Sequence, residues 1–395
     1  MIGNERRTAD AKRSMAIVTN ADGGLGHYVA HLYAPLRAHF DVRFLTFTDQ
    51  TPDELVRAAV PSIEPCLDLA HAASADAITQ SLVEPSIDLV NVQVGNTVGL
   101  NADFFRDWMT DLRLRGIPIL QTIHNVRPPA TLPVDIARIH DLYRLADGFV
   151  VGNRRERERL LADIDLDGRP IFEAPHGPYE SFANVTRTRA QARESLDLPP
   201  DAEAVLFFGR LRPDKGLQVL LDAFARLRED RPRAVLLIQT HAHRTPGWAA
   251  ALREIECADD RIRIRRGYAP LGEVASLFLA SDIVALPYHA ISQSGVLNLA
   301  RAFRRPAVVT EAFDEAATVA KTGGLVVPAG SAHDLACAMD ELLALPAAER
   351  DRRGAVGLEH ARRYEGWDRN ALAVRRAADA VLSAPLASPR SPSGA

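Results

Sequence analysis

Phe207-Phe208-Gly209-Arg210-Leu211-Arg212-Pro213-Asp214-Lys215-Gly216 follows an apolar run that begins at Val205. It precedes a helical spacing of Leu217, Leu220, Leu221, Phe224 and Leu227. The stretch therefore reads as a strand, a glycine turn, two cations five residues apart and a helix. Gly209 lets the backbone turn sharply and lets a ligand approach. Arg210 offers a planar fork of donors and Lys215 a compact charge, and both suit phosphate oxygens. Solvated cations on a surface loop are the plainer reading of the same residues.

The same alternation runs outward in both directions. Toward the N-terminus, strands are expected at Met15–Thr19, Val42–Phe47, Leu89–Val92, Ile117–Ile123, Gly148–Val151 and Ile171–Glu173, with helices at Asp103–Arg115 and Ile136–Leu145. The glycine loop Asp22-Gly23-Gly24-Leu25-Gly26 follows the first strand. Toward the C-terminus, strands are expected at Ala234–Thr240, Ile262–Arg265, Ile283–Pro287, Ala307–Thr310 and Gly324–Val327. Helices fit Leu217–Glu229, Trp248–Glu256, Leu271–Ala280, Gly295–Phe303 and Ala332–Leu345. Residues 174–200 hold Pro175, Gly177, Pro178, Pro199 and Pro200 and read as a linker with a short helix near Arg187–Ser195. Such alternation implies two α/β domains with parallel sheets. Ligands of such sheets bind beyond the carboxyl ends of the strands. Two domains facing each other would form a cleft suited to a small molecule.

The bulk numbers agree with that layout. The chain has 395 residues, 47% hydrophobic and 25% charged, enough for two globular domains. Its net charge of −4 gives no basic field for nucleic acid. Cys66, Cys257 and Cys337 show no paired spacing, which favours a reducing compartment. No run approaches the roughly 18 apolar residues of a membrane span. The polar first 14 residues lack the apolar core of a secretory signal, so a cytoplasmic chain is expected.

A second anion-binding element lies at Tyr288-His289-Ala290-Ile291-Ser292-Gln293-Ser294-Gly295-Val296-Leu297-Asn298. Ser292 or Ser294 can cap the following helix. The N–H groups of Gly295, Val296 and Leu297 would then point at a ligand along the helix dipole. Asp163-Ile164-Asp165-Leu166-Asp167 looks like an acidic metal-binding repeat, but it stands far from the other motifs. The helix with Phe104, Phe105, Trp108, Met109, Leu112 and Leu114 carries an apolar stripe beside Arg106, Arg113 and Arg115. That stripe suits burial against the sheet, and peripheral contact with a membrane is the rarer use of such a face.

Together these features resemble the nucleotide-sugar glycosyltransferases of the GT-B fold, above all the retaining family 4. The resemblance covers roughly residues 15–382. It rests on Gly209-Arg210-Leu211 with Lys215-Gly216, on Ile264-Arg265-Arg266-Gly267-Tyr268, and on Ser281-Asp282 leading to Pro287. Arg304-Arg305-Pro306-Ala307 and the run from Gly323 to Pro328 complete it. The chain departs from the commonest pattern, which has a pair of glutamates around the anion-binding turn. Aligned on Pro306, the second glutamate's place falls on Leu299, and no glutamate lies between Asp282 and Glu311. The chain resembles a subset with a Ser-Gly-Val-Leu turn.

The resemblance implies two Rossmann-like domains facing each other across a cleft. Residues 1–14 would be a disordered leader, 15–180 the acceptor-side domain and 181–360 the donor-binding domain. Residues 361–382 would form a helix packing back toward the first domain, and 383–395 a disordered tail. The implied activity is transfer of a sugar, with retention, from a nucleoside-diphosphate donor to an acceptor hydroxyl. That acceptor would be a saccharide, a lipid-linked saccharide or a small metabolite. No metal or other cofactor is implied, since cations and a helix N-terminus would neutralise the diphosphate.

Arg210, Lys215 and His124, at the end of strand Ile117–Ile123, are the implied catalytic set. Gly209, Gln293, Ser294, Gly295, Val296, Asn298 and Gly24 would bind the donor. Asn298 or Gln293 would replace the missing ribose contact. His27 and Asn125 are candidate acceptor contacts. His176-Gly177 resembles the family's hinge, and His241 and His243 fit solvated loop positions. Two rival readings remain: a GT-B epimerase or phosphorylase, and an inactive relative that binds a nucleotide sugar or a partner.

Overall fold

The computed structural model describes residues 12–71, 73–84, 87–128, 134–241, 248–291 and 293–384. Ser292, His243 and most of the leader and tail segments lie outside them. The chain divides into two compact units, residues 1–175 with 367–395, and residues 176–366. The sequence boundaries at 180 and 360 differ from these by a few residues.

The first unit holds a seven-stranded parallel sheet. Its strands are β1 (Arg13–Val18), β2 (Phe40–Phe47), β3 (Ile63–Leu67), β4 (Leu89–Val94), β5 (Ile119–Ile123), β6 (Gly148–Val151) and β7 (Ile171–Glu173). Their order is β3-β2-β1-β4-β5-β6-β7. β1 begins at Arg13, two residues before the expected Met15, and Asp88 accepts from both the N–H and the hydroxyl of Ser14. β3 went unread because Pro65 interrupts it. It is an edge strand, and its register against β2 shifts beside that proline.

The second unit holds a six-stranded parallel sheet. Its strands are β8 (Glu203–Arg210), β9 (Ala234–His241), β10 (Ile262–Arg266), β11 (Ile283–Leu286), β12 (Ala307–Thr310) and β13 (Leu325–Val327). Their order is β10-β9-β8-β11-β12-β13. Each sheet reverses its order once, between β1 and β4 and between β8 and β11. The loops after those strands are where an open α/β sheet admits ligands.

Helix Ala102–Leu114 turns Phe105, Trp108, Met109 and Leu112 into the first core, which uses up most of its apolar stripe. Leu114 alone of that set is largely exposed, at 72%. The C-terminal helix starts at Trp367 rather than 361, because extended Gly366 separates it from helix Ala347–Glu365. Its face of Ala371, Val374, Ala377, Ala378 and Val381 is buried in the first unit. A side chain on Gly148 of β6 would come within 2.5 Å of Val381, so glycine is needed for that helix to seat. No helix among the described residues is long and apolar enough to cross a membrane.

Candidate functional site

In the second unit, β8 ends at Gly209 and Arg210, with Gly209 at φ 127°. A short 3-10 turn, Pro213–Lys215, follows and closes on Gly216 at φ 65°. Any side chain on Gly216 would meet the Pro287 carbonyl oxygen at 2.0 Å. The cation turn is thus pressed against the end of β11, across the point where the strand order reverses. Arg210 is exposed. Arg212 forks onto Asp214, with Nε–Oδ1 2.9 Å and Nη2–Oδ2 2.7 Å. The N–H of His289 donates to the Asp214 carbonyl at 2.9 Å, which ties the two loops together.

Lys215 is buried, with Nζ 3.8 Å from the centre of the Tyr288 ring and 3.7 Å from Asp214. Burial first, and the nearby Arg212 second, pull its ammonium down to about 7. The ring face and Asp214 only partly compensate for the lost water. Tyr288 also stacks on Phe313, and the Ser294 side chain lies near enough to its hydroxyl to act on that phenol. One aromatic residue therefore joins the lysine to the second anion-binding element. The sequence offered one signal for it, an aromatic directly after a strand.

Ser294 caps helix Gly295–Ala302 by accepting from the Leu297 N–H at 3.2 Å. Leu297 is therefore spent on the cap, contrary to the expectation that its N–H faces a ligand. The N–H groups of Gly295 and Val296 have no such partner among the described residues. A side chain on Gly209 would sit 3.6 Å from Val296, so the two turns are neighbours. Gln293 is half-buried in the same loop.

Asn298 turns away from this group. It is buried, its amide nitrogen lies 2.6 Å from His176 Nδ1, and its oxygen accepts from Arg301 at 3.0 Å. His176 is held by the Tyr179 hydroxyl at 3.0 Å. Arg301 also reaches Glu365 at 2.7 Å and Glu315 at 3.4 Å. Burial lifts the Glu315 carboxyl to about 7 and raises that of Glu365. Asn298 thus belongs to a buried polar support beneath the turn. Leu299 is buried as well.

In the first unit, the glycine loop and the turn after β4 meet at the corresponding reversal. A side chain on Gly95 would strike Leu25 at 2.6 Å, whereas one on Gly24 would meet nothing within 4 Å. His27 Nε2 lies 2.5 Å from Asp53, which also caps helix Glu54–Ala59. His124 follows β5, with Nε2 2.9 Å from Gln93 Oε1 and its ring 4.7 Å edge-on from Tyr28. Burial lowers His124 to about 4, so the ring is neutral at pH 7. Asn125 is half-buried beside it, and the next N–H, of Val126, donates to buried Glu156 at 2.6 Å. Asp53, Gln93 and Glu156 escaped the sequence reading, since each stands outside any motif.

The acidic repeat is structural. Asp163 pairs with Arg127, and Asp165 accepts from the N–H of Asp167, which sits at φ 52°. Among the described residues no three His, Cys, Asp or Glu groups are placed to hold a metal.

Residues 202–345 match the family described as Glycosyl transferases group 1. A D-inositol 3-phosphate glycosyltransferase of Kineococcus radiotolerans is 32% identical over 246 residues, 58% of this chain and 55% of that protein. One of Xylanimonas cellulosilytica is 30% identical over 281 residues, 65% of each chain. The chain thus spans between half and two thirds of the length of these relatives. Among solved structures, a sucrose-phosphate synthase of Thermosynechococcus elongatus aligns at TM-score 0.68 and 19% identity, covering 92% of this chain and 98% of that one. Anabaena HepE, solved with UDP and glucose, aligns at 0.69 and 13%, covering 92% and 99%. These likenesses show the fold: it is of the GT-B type.

Proposed function

We propose that the chain transfers a sugar from a nucleoside diphosphate to an acceptor hydroxyl. The observation that carries this reading is the pairing of two anion-binding turns at one strand-order reversal. Lys215, Tyr288 and Ser294 form one connected group there, and the open N–H groups of Gly295 and Val296 lie beside Gly209. Arg210, Lys215 and those two N–H groups would hold the donor's diphosphate. A buried ammonium at about 7 gains from an anion that replaces its lost water.

Transfer would proceed on one face of the sugar, with retention. The acceptor oxygen bonds to the anomeric carbon as the bond from that carbon to the diphosphate breaks. The bonding pair leaves with the phosphate oxygen, and that oxygen takes the acceptor proton. His124 would orient the donor sugar, with Gly24 nearby and His27 and Asn125 toward the acceptor. The acceptor class is a saccharide, a lipid-linked saccharide or a small metabolite, and the setting is the cytoplasm. The named relatives make an inositol phosphate the first acceptor to try.

Alanine at both Arg210 and Lys215 should abolish transfer from any nucleotide sugar that the unaltered protein uses. Full turnover by that folded double variant would contradict the proposal.

A further inference from the structure

Arg212 lies between the two cations of the turn from Gly209 to Gly216. Leu211, which separates it from Arg210, is buried in the core. The backbone of Arg212 is extended, at φ −146° and ψ 155°. Side chains alternate along an extended chain, so Arg210 and Arg212 stand on the side away from Leu211. The guanidinium is held in place there. Its Nε and Nη2 edge is taken up by the fork onto Asp214, and both side chains are half-buried. The remaining nitrogen, Nη1, makes no hydrogen bond among the described residues and is not sealed from solvent.

Asp214 serves two cations at once. Its Oδ2 lies 2.7 Å from Arg212 Nη2 and 3.7 Å from Lys215 Nζ. The two charges are therefore close enough for one diphosphate to meet both. The turn carries Arg210, Arg212 and Lys215 against Asp214 alone, so its positive charge is not offset from within. Arg212 is also the second cause, after burial, that pulls the Lys215 ammonium down. A cation that makes its neighbour harder to charge is unfavourable by itself. An anion that touches both turns that cost into a gain.

We propose that Arg212 is a third cation of the diphosphate site, oriented by Asp214 so that its Nη1 edge meets a phosphate oxygen. This rests on the proposed function for the class of ligand. Asp214 then has two opposed effects: it orients the arginine, and its own charge repels the anion.

The test measures binding of inorganic pyrophosphate and of UDP, GDP, ADP and CDP at pH 6, below the titration of Lys215, with melting curves to report folding. Arg212→Ala should weaken binding about tenfold. Asp214→Asn removes the repelling charge and should tighten binding about threefold. A pair that only closes the turn would move both variants in one direction. Arg212→Ala also releases Asp214 toward Lys215, so the double variant Arg212→Ala/Asp214→Asn is compared with Asp214→Asn. It should still bind about tenfold more weakly than Asp214→Asn. That gap should persist in about 0.5 M potassium chloride, where a charge out of contact with the ligand is screened. Arg212→Gln, which can keep one bond to Asp214, takes the place of alanine if the alanine variants fail to fold.

Equal affinity of the double variant and Asp214→Asn, or a gap that vanishes in high salt, would overturn the proposal. So would Asp214→Asn weakening binding as much as Arg212→Ala does. Pyrophosphate bound with the expected pattern while none of the four nucleotides binds would support the role of Arg212 and contradict the proposed function. Failure of the unaltered protein to bind any of the five probes would overturn both.

Discussion

At the scale of single residues, Lys215 carries the sharpest consequence. Its ammonium titrates near 7 in the folded protein, against an ordinary value of 10.5. Between those values the unfolded chain binds more protons, so this residue makes stability rise with pH across that window. Below about 7 both states are charged, and the cost of burying the charge is felt in full. Diphosphate binding needs the charged form, so binding above pH 7 must take up a proton. Affinity for a nucleoside diphosphate should fall by up to about tenfold per pH unit above 7, where the ligand's own phosphate is fully ionised. Calorimetry in two buffers of different ionisation heat measures that uptake. Uptake near zero at pH 8 would show that Lys215 does not meet the anion.

Ser294 and Gly216 argue at the scale of elements. Ser294→Ala removes a helix cap and should cost about 1 kcal/mol of stability. Ser294→Asp keeps the cap but sets a negative charge beside the two open N–H groups. It should melt near the unaltered protein yet bind a nucleoside diphosphate at least tenfold more weakly. Gly216→Ala combines a positive φ with a contact of 2.0 Å to a backbone oxygen, so the turn itself must move. Its melting temperature should drop by several degrees, for a loss of roughly 1–3 kcal/mol. Both elements were legible in the sequence, because a strand, a glycine and a capped helix leave local signatures. The role of Asn298 was not, since burial on His176 and Arg301 depends on residues distant in the chain. Gln93 hid for the opposite reason: a polar residue inside an apolar strand looks like noise until β5 is placed beside it.

At the scale of the molecule, the chain enters the second unit at His176 and leaves it at Gly366. The helix that follows completes the first unit, with five apolar residues and Asn370 buried there. Asn370 donates to the Pro175 carbonyl at 2.8 Å and bonds the Tyr28 hydroxyl. Deleting residues 367–395 should therefore destabilise the first unit selectively. Hydrogen exchange should show β1 and β5–β7 losing protection while β8–β13 keep theirs; equal loss in both sheets would contradict that division. Alternating strands and helices made the two-unit layout readable in advance. The return of the last helix followed from a resemblance, and its start at Trp367 depended on Gly366.

The central claim is that the turn from Gly209 to Gly216 and the helix start at Gly295 hold a diphosphate together. Titration of the purified protein with UDP, GDP, ADP and CDP at pH 7 tests it most directly, beside the folded Arg210→Ala/Lys215→Ala double variant. At least one of the four should bind the unaltered protein, and its affinity should fall at least a hundredfold in the double variant, about 3 kcal/mol. Equal affinity in the two proteins would contradict the account.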